Sequence, residues 1–422
     1  MKKIKLGDIG SVRMCKRILK EETNSEGGIP FYKISTFGNV ADVFIDKDKY
    51  ENYKTRFSYP KKGEVLISAA GTIGRTVIYN GEDAYFQDSN IVWIENEEKE
   101  VLNSFLYYAY QNVRWKTSNG STILRLYNDD LRNTEILIPE DISEQKRIAK
   151  VLSNIDRKIS INREINRNLE ELAKQIYDYW FVQFDFPNEE GKPYKSSGGK
   201  MVWNEFLKRE IPADWEVKRL GEILVKIDSG KRPAGGINKA LKSGIPSLGA
   251  ECIDDLGVFD FSSTPFIDNS YRNKLTTGKI CNNDILVYKD GAYVGKITLF
   301  RDNFPYEEVF VNEHVFLIHA QEECLEEYLY FSLKQKAYFQ IMQNLGKAKA
   351  AQPGLNREDM QNILLIVPNK NIVSVFHNKV GLLFENLFNN ARAIGNLSSL
   401  RDNLLPLLMN GQVTLNSCLS AD

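Results

Sequence analysis

The chain has 422 residues, of which 42% are hydrophobic and 26% are charged. This length exceeds a single ordinary core and predicts two to four domains, and the composition excludes an intrinsically disordered protein. The formal net charge of −1 excludes a uniformly basic nucleic-acid-binding protein. Any surface for phosphate groups must therefore be local or completed by a partner.

The cysteine usage and the hydropathy pattern indicate the compartment. The five cysteines are scattered without a CxxC pair, and the sequence shows neither a signal peptide nor an apolar run of about 18 residues. We therefore expect a reduced, cytoplasmic protein that makes no contact with a membrane.

The first 140 residues have the pattern of an α/β domain with short strands. Alternating or continuous apolar residues, bounded by glycine and proline, predict the strands, and a helical period follows the fourth of them. The predicted strands cover residues 4–9, 31–34, 63–67, 90–94 and 135–139, and the predicted helical segments cover 104–111 and 128–133.

A long helix is predicted over residues 141–184. From Ile148 to Trp180, ten residues follow each other in steps of four and three, which is the seam of a helix that packs along a partner helix. At ~1.5 Å per residue this helix would be roughly 60 Å long. Its other faces are polar, so it needs a partner of matching length.

The partner helix lies in the same chain, over residues 370–412. Adding 228 to each seam position gives a second seam, from Phe376 to Leu408, that is apolar at eight of ten positions. Asn162 and Asn390 occupy the same fifth position of the two seams. They are either polar residues tolerated near solvent or residues that specify register and antiparallel orientation. We expect Pro406 to kink or end the second helix.

The order of the motifs repeats in the second half of the chain. Leu-Gly-Asp-Ile at residues 6–9 returns as Leu-Gly-Glu-Ile at 220–223, and Gly-Ile-Pro at 28–30 returns at 244–246. A period above 200 residues indicates a duplicated domain pair. The predicted fold is α/β (α+β), with two similar domains separated by a pair of long antiparallel coiled-coil helices and an internal pseudo-twofold repeat. Its segments are 1–140, 141–184, a connection at 185–214, 215–369, 370–412 and a tail at 413–422.

The sequence shows no catalytic motif. Without a Pro-Pro dipeptide it lacks the Asp/Asn-Pro-Pro-Tyr/Phe loop of amino-methyltransferases, and residues 291–298 lack the spacing of a phosphate-binding loop. The three histidines are not at metal-ligand spacing. We therefore expect a non-catalytic chain that holds no metal.

Polar loops that recur in both halves are the candidate binding residues. Their side chains can donate hydrogen bonds to phosphates or to base edges, although each loop taken alone also fits an ordinary solvent-exposed turn. The candidates in the first half are Arg13, Lys16, Arg17, Ser68, Thr72, Arg75, Ser118, Asn119, Ser121, Thr122 and Arg125. Those in the second half are Ser229, Lys231, Arg232, Lys289, Tyr293, Lys296, Lys347, Lys349 and Gln352.

Together the motifs resemble the specificity subunit of type I restriction-modification systems. The resemblance covers nearly the whole chain and is carried by Leu-Gly-Asp/Glu-Ile, Gly-Ile-Pro, the Gln-Pro-Gly-Leu segment at 352–355, and Glu-Gln-Lys-Arg-Ile-Ala at 144–149. It is also carried by the connection around residues 186–217 and by the segment 400–411. The first half departs from the pattern, because residues 120–126 replace Gln-Pro-Gly-Leu.

The resemblance implies two target-recognition domains, each reading one half of a split site on double-stranded DNA. It implies that the paired helices dock two methyltransferase (modification) subunits and that restriction/translocase subunits join for cleavage. S-adenosylmethionine, ATP and magnesium would then belong to the partners. Two other classes remain open from the residues: a coiled-coil scaffold without direct DNA contact, and a stand-alone enzyme acting on DNA or a nucleotide.

Overall fold

A computed structural model describes residues 1–115, 125–233, 236, 241–320, 325–347 and 354–415. The chain divides into two compact units, one made of residues 1–157 and 397–422 and the other of residues 158–396. The predicted boundaries set the long helices apart from the domains. The compact units instead divide both helices, so each unit combines an α/β region with a segment of each helix.

The first unit contains short strands, short helices and the beginning of a long helix. In chain order its elements are β1 (Lys2–Lys5), α1 (Leu6–Ile9), β2 (Gly10–Arg13), β3 (Ile29–Tyr32), β4 (Phe44–Ile45), α2 (Lys47–Arg56), β5 (Val65–Ser68), β6 (Thr76–Ile78), β7 (Tyr85–Phe86), β8 (Ile91–Asn96), α3 (Asn103–Asn112), α4 (Asn128–Asn133), β9 (Glu135–Ile138) and the first part of α5 (Ile142–Tyr177).

These strands form three sheets. An antiparallel sheet has the order β2-β8-β5-β6, a second has the order β4-β3-β7 with β3 parallel to β7, and β1 pairs with β9. The predicted strand over residues 4–9 is wrong in its second half, because the chain turns into α1 after Lys5. Leu6 is fully buried there, and Gly7 lies against Arg132 of α4.

The second unit begins within α5 and ends within the last helix. Its further elements are β10 (Met201–Asn204), β11 (Arg209–Pro212), β12 (Glu216–Arg219), β13 (Leu224–Ser229), β14 (Ile245–Leu248), β15 (Phe266–Ile267), β16 (Ile285–Tyr288), β17 (Ile297–Leu299), β18 (Phe310–Val311), β19 (Val315–Ala320), α6 (Glu326–Lys334), α7 (Lys336–Lys347), α8 (Arg357–Gln361), β20 (Leu364–Val367) and α9 (Lys370–Met409).

The sheets of the second unit repeat those of the first. The orders β13-β19-β16-β17, β15-β14-β18 and β12-β20 match the three sheets above, including the parallel pairing of β14 with β18. This agreement confirms the internal repeat that the sequence predicts. The hairpin β10-β11 is the addition, and it lies in the connection between the halves.

The glycine of the repeated Gly-Ile-Pro motif has a positive φ and a close backbone neighbour in both halves of the chain. Gly28 has φ +97° and Gly244 has φ +142°, values that disfavour residues with a side chain. A Cβ at either position would lie 2.4 Å from a backbone oxygen of the neighbouring strand, that of Ile45 or that of Ile267. Both glycines are therefore required where the chain enters the small sheet.

The long helices pack antiparallel within each unit. In the second unit Asn166 of α5 bonds to Leu387 of α9, and the ring of Tyr177 contacts that of Phe376. Moving eleven residues forward along α5 therefore corresponds to moving eleven residues backward along α9. In the first unit Asp156 pairs with Arg401 of α9. Ile148 and Leu152 there share a core with Leu405 and Leu408.

Pro406 does not end α9. The helix continues past it to Met409, and Gly411, with φ +66°, follows two residues later. A proline removes one backbone donor, so the last turn forms with one hydrogen bond fewer.

The connection between the halves is partly anchored by aromatic packing. Trp215 is buried and stacks on Phe186, with ring centroids 4.9 Å apart. Trp203 and Phe206 of the hairpin are 56% and 77% exposed, so the aromatic packing does not extend over the hairpin. Among the described residues, no helix is long and apolar enough to cross a membrane.

Candidate nucleic-acid interface

In the first unit, two turns and a later segment meet beside the main sheet. Backbone atoms of Ala70 and Arg125 form an isolated bridge, and Leu126 N donates to Ala69 O at 2.8 Å. The Arg125 guanidinium also donates to Ser89 O at 2.8 Å. The turn after β5, the turn before β8 and Arg125 therefore form one surface, which we call the first loop cluster. The turn at residues 87–90 is not among the candidates that the sequence predicts.

Within this cluster Ser68 shapes the turn. It is buried, its hydroxyl donates to Thr72 O at 2.5 Å, and it accepts from Arg75 N at 2.9 Å. Arg75 and Thr72 are exposed, and the Arg75 guanidinium donates to Phe37 O at 2.9 Å. Thr72 and Arg75 are thus the members of this turn that face solvent.

The basic segment after β2 is exposed, and its residues differ in their contacts. Arg13 pairs with Glu95, with 2.8 Å between Nε and Oε2. Lys16 Nζ lies 5.3 Å from the ring centroid of Phe57. Arg17 is exposed, and its side chain has no partner among the residues that the structure describes.

The second unit has an equivalent loop cluster. Asp290 and Gly354 form an isolated bridge, and Leu355 N donates to Lys289 O at 3.0 Å. These bonds match those of Ala70 with Arg125 and of Leu126 with Ala69. Gly354 therefore takes the place of Arg125, and Leu355 takes the place of Leu126.

A charged network lies at the second loop cluster. Arg232 Nε donates to Glu313 Oε1 at 2.6 Å, and Arg232 Nη2 lies 2.9 Å from His314 Nε2. His314 Nδ1 lies 3.2 Å from Asp290 Oδ2. Lys289 Nζ donates to the backbone oxygen of Glu313 at 3.2 Å. Neither the acids nor the histidine were predicted from the sequence.

The charge state of Glu313 follows from this network. Burial opposes its ionisation, but the hydrogen bond and the charge of Arg232 outweigh that effect, and the pKa of Glu313 is lowered. The carboxylate is therefore ionised at neutral pH and forms a true ion pair with the guanidinium.

The remaining described candidates of the second unit differ in their contacts and exposure. Lys296 pairs with Asp254 at 3.0 Å, Tyr293 is 65% exposed, and Ser229 ends β13. Lys231 and Lys347 are exposed. Six candidates lie outside the described residues: Ser118, Asn119, Ser121, Thr122, Lys349 and Gln352.

The strand register places the two Lys-Arg pairs in equivalent positions. Arg13 lies opposite Trp93 of β8, and Asp228 lies opposite Leu317 of β19. Trp93 and Leu317 in turn lie opposite equivalent residues of β5 and β16. Arg13 and Asp228 are therefore equivalent positions, and the pairs Lys16-Arg17 and Lys231-Arg232 each begin three residues after them.

The asparagines of the helix seam are not equally buried. Asn162 and Asn390, which the sequence singles out, are half-buried. Asn166, one turn further along α5, is 7% exposed and donates from Nδ2 to Leu387 O at 3.1 Å. The register role of the first two stays a prediction.

Each histidine of the chain has a carboxylate partner: His314 with Asp290, His319 with Asp284 and His377 with Glu327. In the described part of the chain, no group of three or more His, Cys, Asp or Glu residues could hold a metal ion. The polar loop clusters are therefore the features whose chemistry suits a ligand.

The repeated architecture agrees with known proteins. A family model for the type I restriction modification DNA specificity domain matches residues 1–171 and again residues 212–380. The MjaIX specificity subunit of a type I restriction enzyme from Methanocaldococcus jannaschii is 28% identical over 439 residues, which cover 98% of this chain and 93% of that protein. A putative specificity subunit from Haemophilus influenzae, S.HindORF215P, is 52% identical over 182 residues, or 42% of this chain and 46% of that protein.

A solved structure shows the same fold. The type I restriction-modification S subunit from M. genitalium superposes with a TM-score of 0.58 at 18% identity, covering 97% of this chain and 96% of that one. The repeated α/β regions and their paired helices thus define a DNA specificity protein. The chain belongs to the type I restriction-modification DNA specificity family.

Proposed function

We propose that each loop cluster contacts one half of a split site on double-stranded DNA, and that the chain thereby selects the DNA on which a type I restriction-modification complex acts. The observation that carries the proposal is the equivalence of the two clusters. Each cluster joins the same turn and the same bridge beside a sheet of the same order, and a Lys-Arg pair follows the first strand of each sheet at an equivalent register position. A duplicated α/β region with hydrogen-bond donors in equivalent positions suits a DNA site that consists of two separate parts.

The chemistry of the clusters supports contact with DNA. Lys16, Arg17 and Lys231 are exposed and can neutralise phosphates. Arg75 and Thr72 are also exposed and offer N–H and O–H groups that can donate hydrogen bonds. Because the net charge of the chain is −1, long-range attraction to DNA is weak. Partner subunits would supply the remaining positive charge.

The proposal extends to the partners. The long helices would dock two adenine-N6 methyltransferase subunits, and restriction/translocase subunits would join this core. S-adenosylmethionine, ATP and magnesium would be bound by those partners, and the assembly would act in the cytoplasm, where the cell's DNA is accessible to it. The similarity of the chain to specificity subunits of type I restriction enzymes supports this extension.

Methylation mapping tests the proposal. Methylated adenines are mapped across the genome of a host that carries the methyltransferase partner, with and without this chain. We expect one split motif that depends on the chain. Exchanging residues 215–368 for those of another family member should alter one half of the motif and leave the other unchanged. A motif that persists without the chain, or an exchange that alters both halves, would contradict the proposal.

Footprinting separates DNA reading from a purely structural role. The complex should protect two tracts of DNA with an indifferent stretch between them. A scaffold without direct DNA contact would leave the protected tracts unchanged when the loop residues of either cluster are replaced.

A further inference from the structure

We infer, on the basis of the proposed function, that Arg232 reads a guanine in the half-site bound by the second unit, and that Glu313 positions its guanidinium for this contact. The inference concerns a specificity-determining residue and the base that it selects. Neither the loop sequence nor the strand pattern identifies this pair, which only the spatial arrangement brings together.

The guanidinium is held on one side only. Its Nε donates to Glu313 Oε1 at 2.6 Å and its Nη2 contacts the same carboxylate. Nη2 also lies 2.9 Å from His314 Nε2. The network assigns the histidine tautomer, because Nδ1 of the same ring faces Asp290 Oδ2 at 3.2 Å and is therefore the donor, which leaves Nε2 as the acceptor.

The donors that remain define the base. An arginine has five N–H groups, and the contacts of Nε and Nη2 leave the two N–H groups of Nη1 for a ligand. Guanine presents two neighbouring acceptors, N7 and O6, in the major groove. Adenine pairs one acceptor with a donor, cytosine presents a donor, and thymine presents a single acceptor beside a methyl group. Two fixed donors on one atom are therefore best satisfied by guanine.

The surrounding charges favour a base over a phosphate. The side chain of Arg232 is 37% exposed, and that of Glu313 is 38% exposed. Asp290 adds a second carboxylate on the far side of His314. A phosphate would meet the repulsion of both acids, which Lys289 offsets in part, and the ion pair reduces the attraction that a free guanidinium would offer. A base edge carries no net charge, so the directional donors are retained without this penalty.

The first unit provides an internal comparison. Arg17 takes the place of Arg232 in the strand register described above. Ala69 N donates to Asn90 O as Lys289 N donates to His314 O, so Ser89 takes the place of Glu313. Arg17 consequently has no carboxylate beside it among the described residues, and it keeps its full charge for a phosphate.

The variants Arg232→Ala, Arg232→Lys and Arg17→Ala are compared in the assembled complex with its methyltransferase partner, by genome-wide methylation mapping. The wild-type half-site of the second unit, identified by the 215–368 exchange, should contain a required guanine. The Arg232→Ala variant should reduce the preference for that guanine by about 10- to 100-fold. The Arg232→Lys variant should reduce it less, because a lysine ammonium can also donate to N7 and O6, and both variants should leave the other half-site intact. The Arg17→Ala variant should weaken methylation at all sites without changing the motif.

A modified duplex tests the same contact without relying on a variant's folding. Replacing the guanine with 7-deazaguanine removes the N7 acceptor and keeps base pairing. Binding by the wild-type complex should weaken about tenfold, and binding by the Arg232→Ala complex should not change further. If the half-site contains no required guanine, or if Arg232→Ala lowers methylation uniformly with the motif intact, the inference is wrong although DNA recognition stands. If the wild-type chain conferred no methylation motif at all, the proposed function would be wrong as well.

Discussion

Asn166 of α5 donates a hydrogen bond from Nδ2 to the backbone oxygen of Leu387 of α9, at 3.1 Å, from a buried seam position. Its Oδ1 has no hydrogen-bond partner among the described residues. A buried polar atom without a partner costs about 1–3 kcal/mol, so this residue contributes little net stability. The bond joins one position of α5 to one position of α9, which suits a residue that specifies the register of the two helices.

Replacing this amide should therefore stabilise the protein. We expect Asn166→Leu to raise the free energy of unfolding by about 1 kcal/mol, because it removes the orphaned oxygen and keeps a similar volume. Urea unfolding of the full chain measures the change. The half-buried Asn162→Leu serves as the control and should shift stability by less than about 0.5 kcal/mol. A loss above about 1 kcal/mol for Asn166→Leu would show that its bond is net stabilising.

The first unit joins its helices by a charged contact instead. Arg401 Nη1 pairs with Asp156 Oδ1 at 3.0 Å, and Tyr108 of α3 donates to the other carboxylate oxygen at 2.7 Å. The side chains of Asp156 and Arg401 are 29% and 30% exposed, so solvent screens the pair in part. A double-mutant cycle on Asp156→Ala and Arg401→Ala should give a coupling of about 0.5–1 kcal/mol. A coupling near zero would show that packing alone holds these helices together.

The stability of the second unit should depend on pH through His377. Its bond to Glu327, 2.9 Å long, is the main reason that the pKa of His377 is raised, and burial opposes the shift. Arg301 also pairs with Glu327, at 2.9 Å, and weakens the shift. A group with a raised folded-state pKa contributes fully below its unfolded pKa of about 6.5, and that contribution is lost as pH rises through the folded value.

The measurement compares wild type with His377→Gln in urea unfolding at pH 6 and at pH 8.5. The stability advantage of wild type should be larger at pH 6. An advantage that is equal at both values, or larger at pH 8.5, would show that the protonated ring does not stabilise the fold. Taking the difference between the two proteins removes the titration of all other groups.

Much of the fold could be predicted because its signals are local. Gly-Ile-Pro marks a turn whose glycine has a positive φ in both halves, and the seam of α5 and α9 is a continuous period of four and three. Residues 6–9 misled the prediction, because apolar residues at 4, 6 and 9 fit a strand as well as a helical turn. In the structure these residues form a helical turn, in which Gly7 packs against Arg132, and a contact so far along the chain is not visible in the local pattern.

The site was harder to predict, because its contacts join distant segments. Ser68 resembles an exposed donor in the sequence, but the turn consumes its hydroxyl. Glu313 and His314 lie between two strands in a turn without a matching motif in the first half. Their importance depends on their contacts with Arg232, about 80 residues earlier, and only the folded chain brings these residues together.

The length of the paired helices should set the spacer of the DNA site. We propose that seven residues added to α5 and seven to α9, in matching seam positions, lengthen each helix by about 10 Å. The spacer should then grow by about three base pairs, at ~3.4 Å per pair, while both half-sites stay the same. Methylation mapping measures the spacer. Adding four residues to α5 alone is the control and should abolish methylation by breaking the seam, whereas an unchanged spacer after the matched insertion would contradict the proposal.

Two neighbouring glycines allow a matched test of the turn before β3. Gly27 and Gly28 both have positive φ, +74° and +97°. A Cβ on Gly27 would meet nothing within 4 Å, whereas one on Gly28 would lie 2.4 Å from Ile45 O. Gly27→Ala should therefore cost only the backbone strain, about 1 kcal/mol, and Gly28→Ala should cost at least about 2 kcal/mol more because β4 must move. Thermal unfolding of the two variants measures the difference, and equal losses would show that β4 yields without cost.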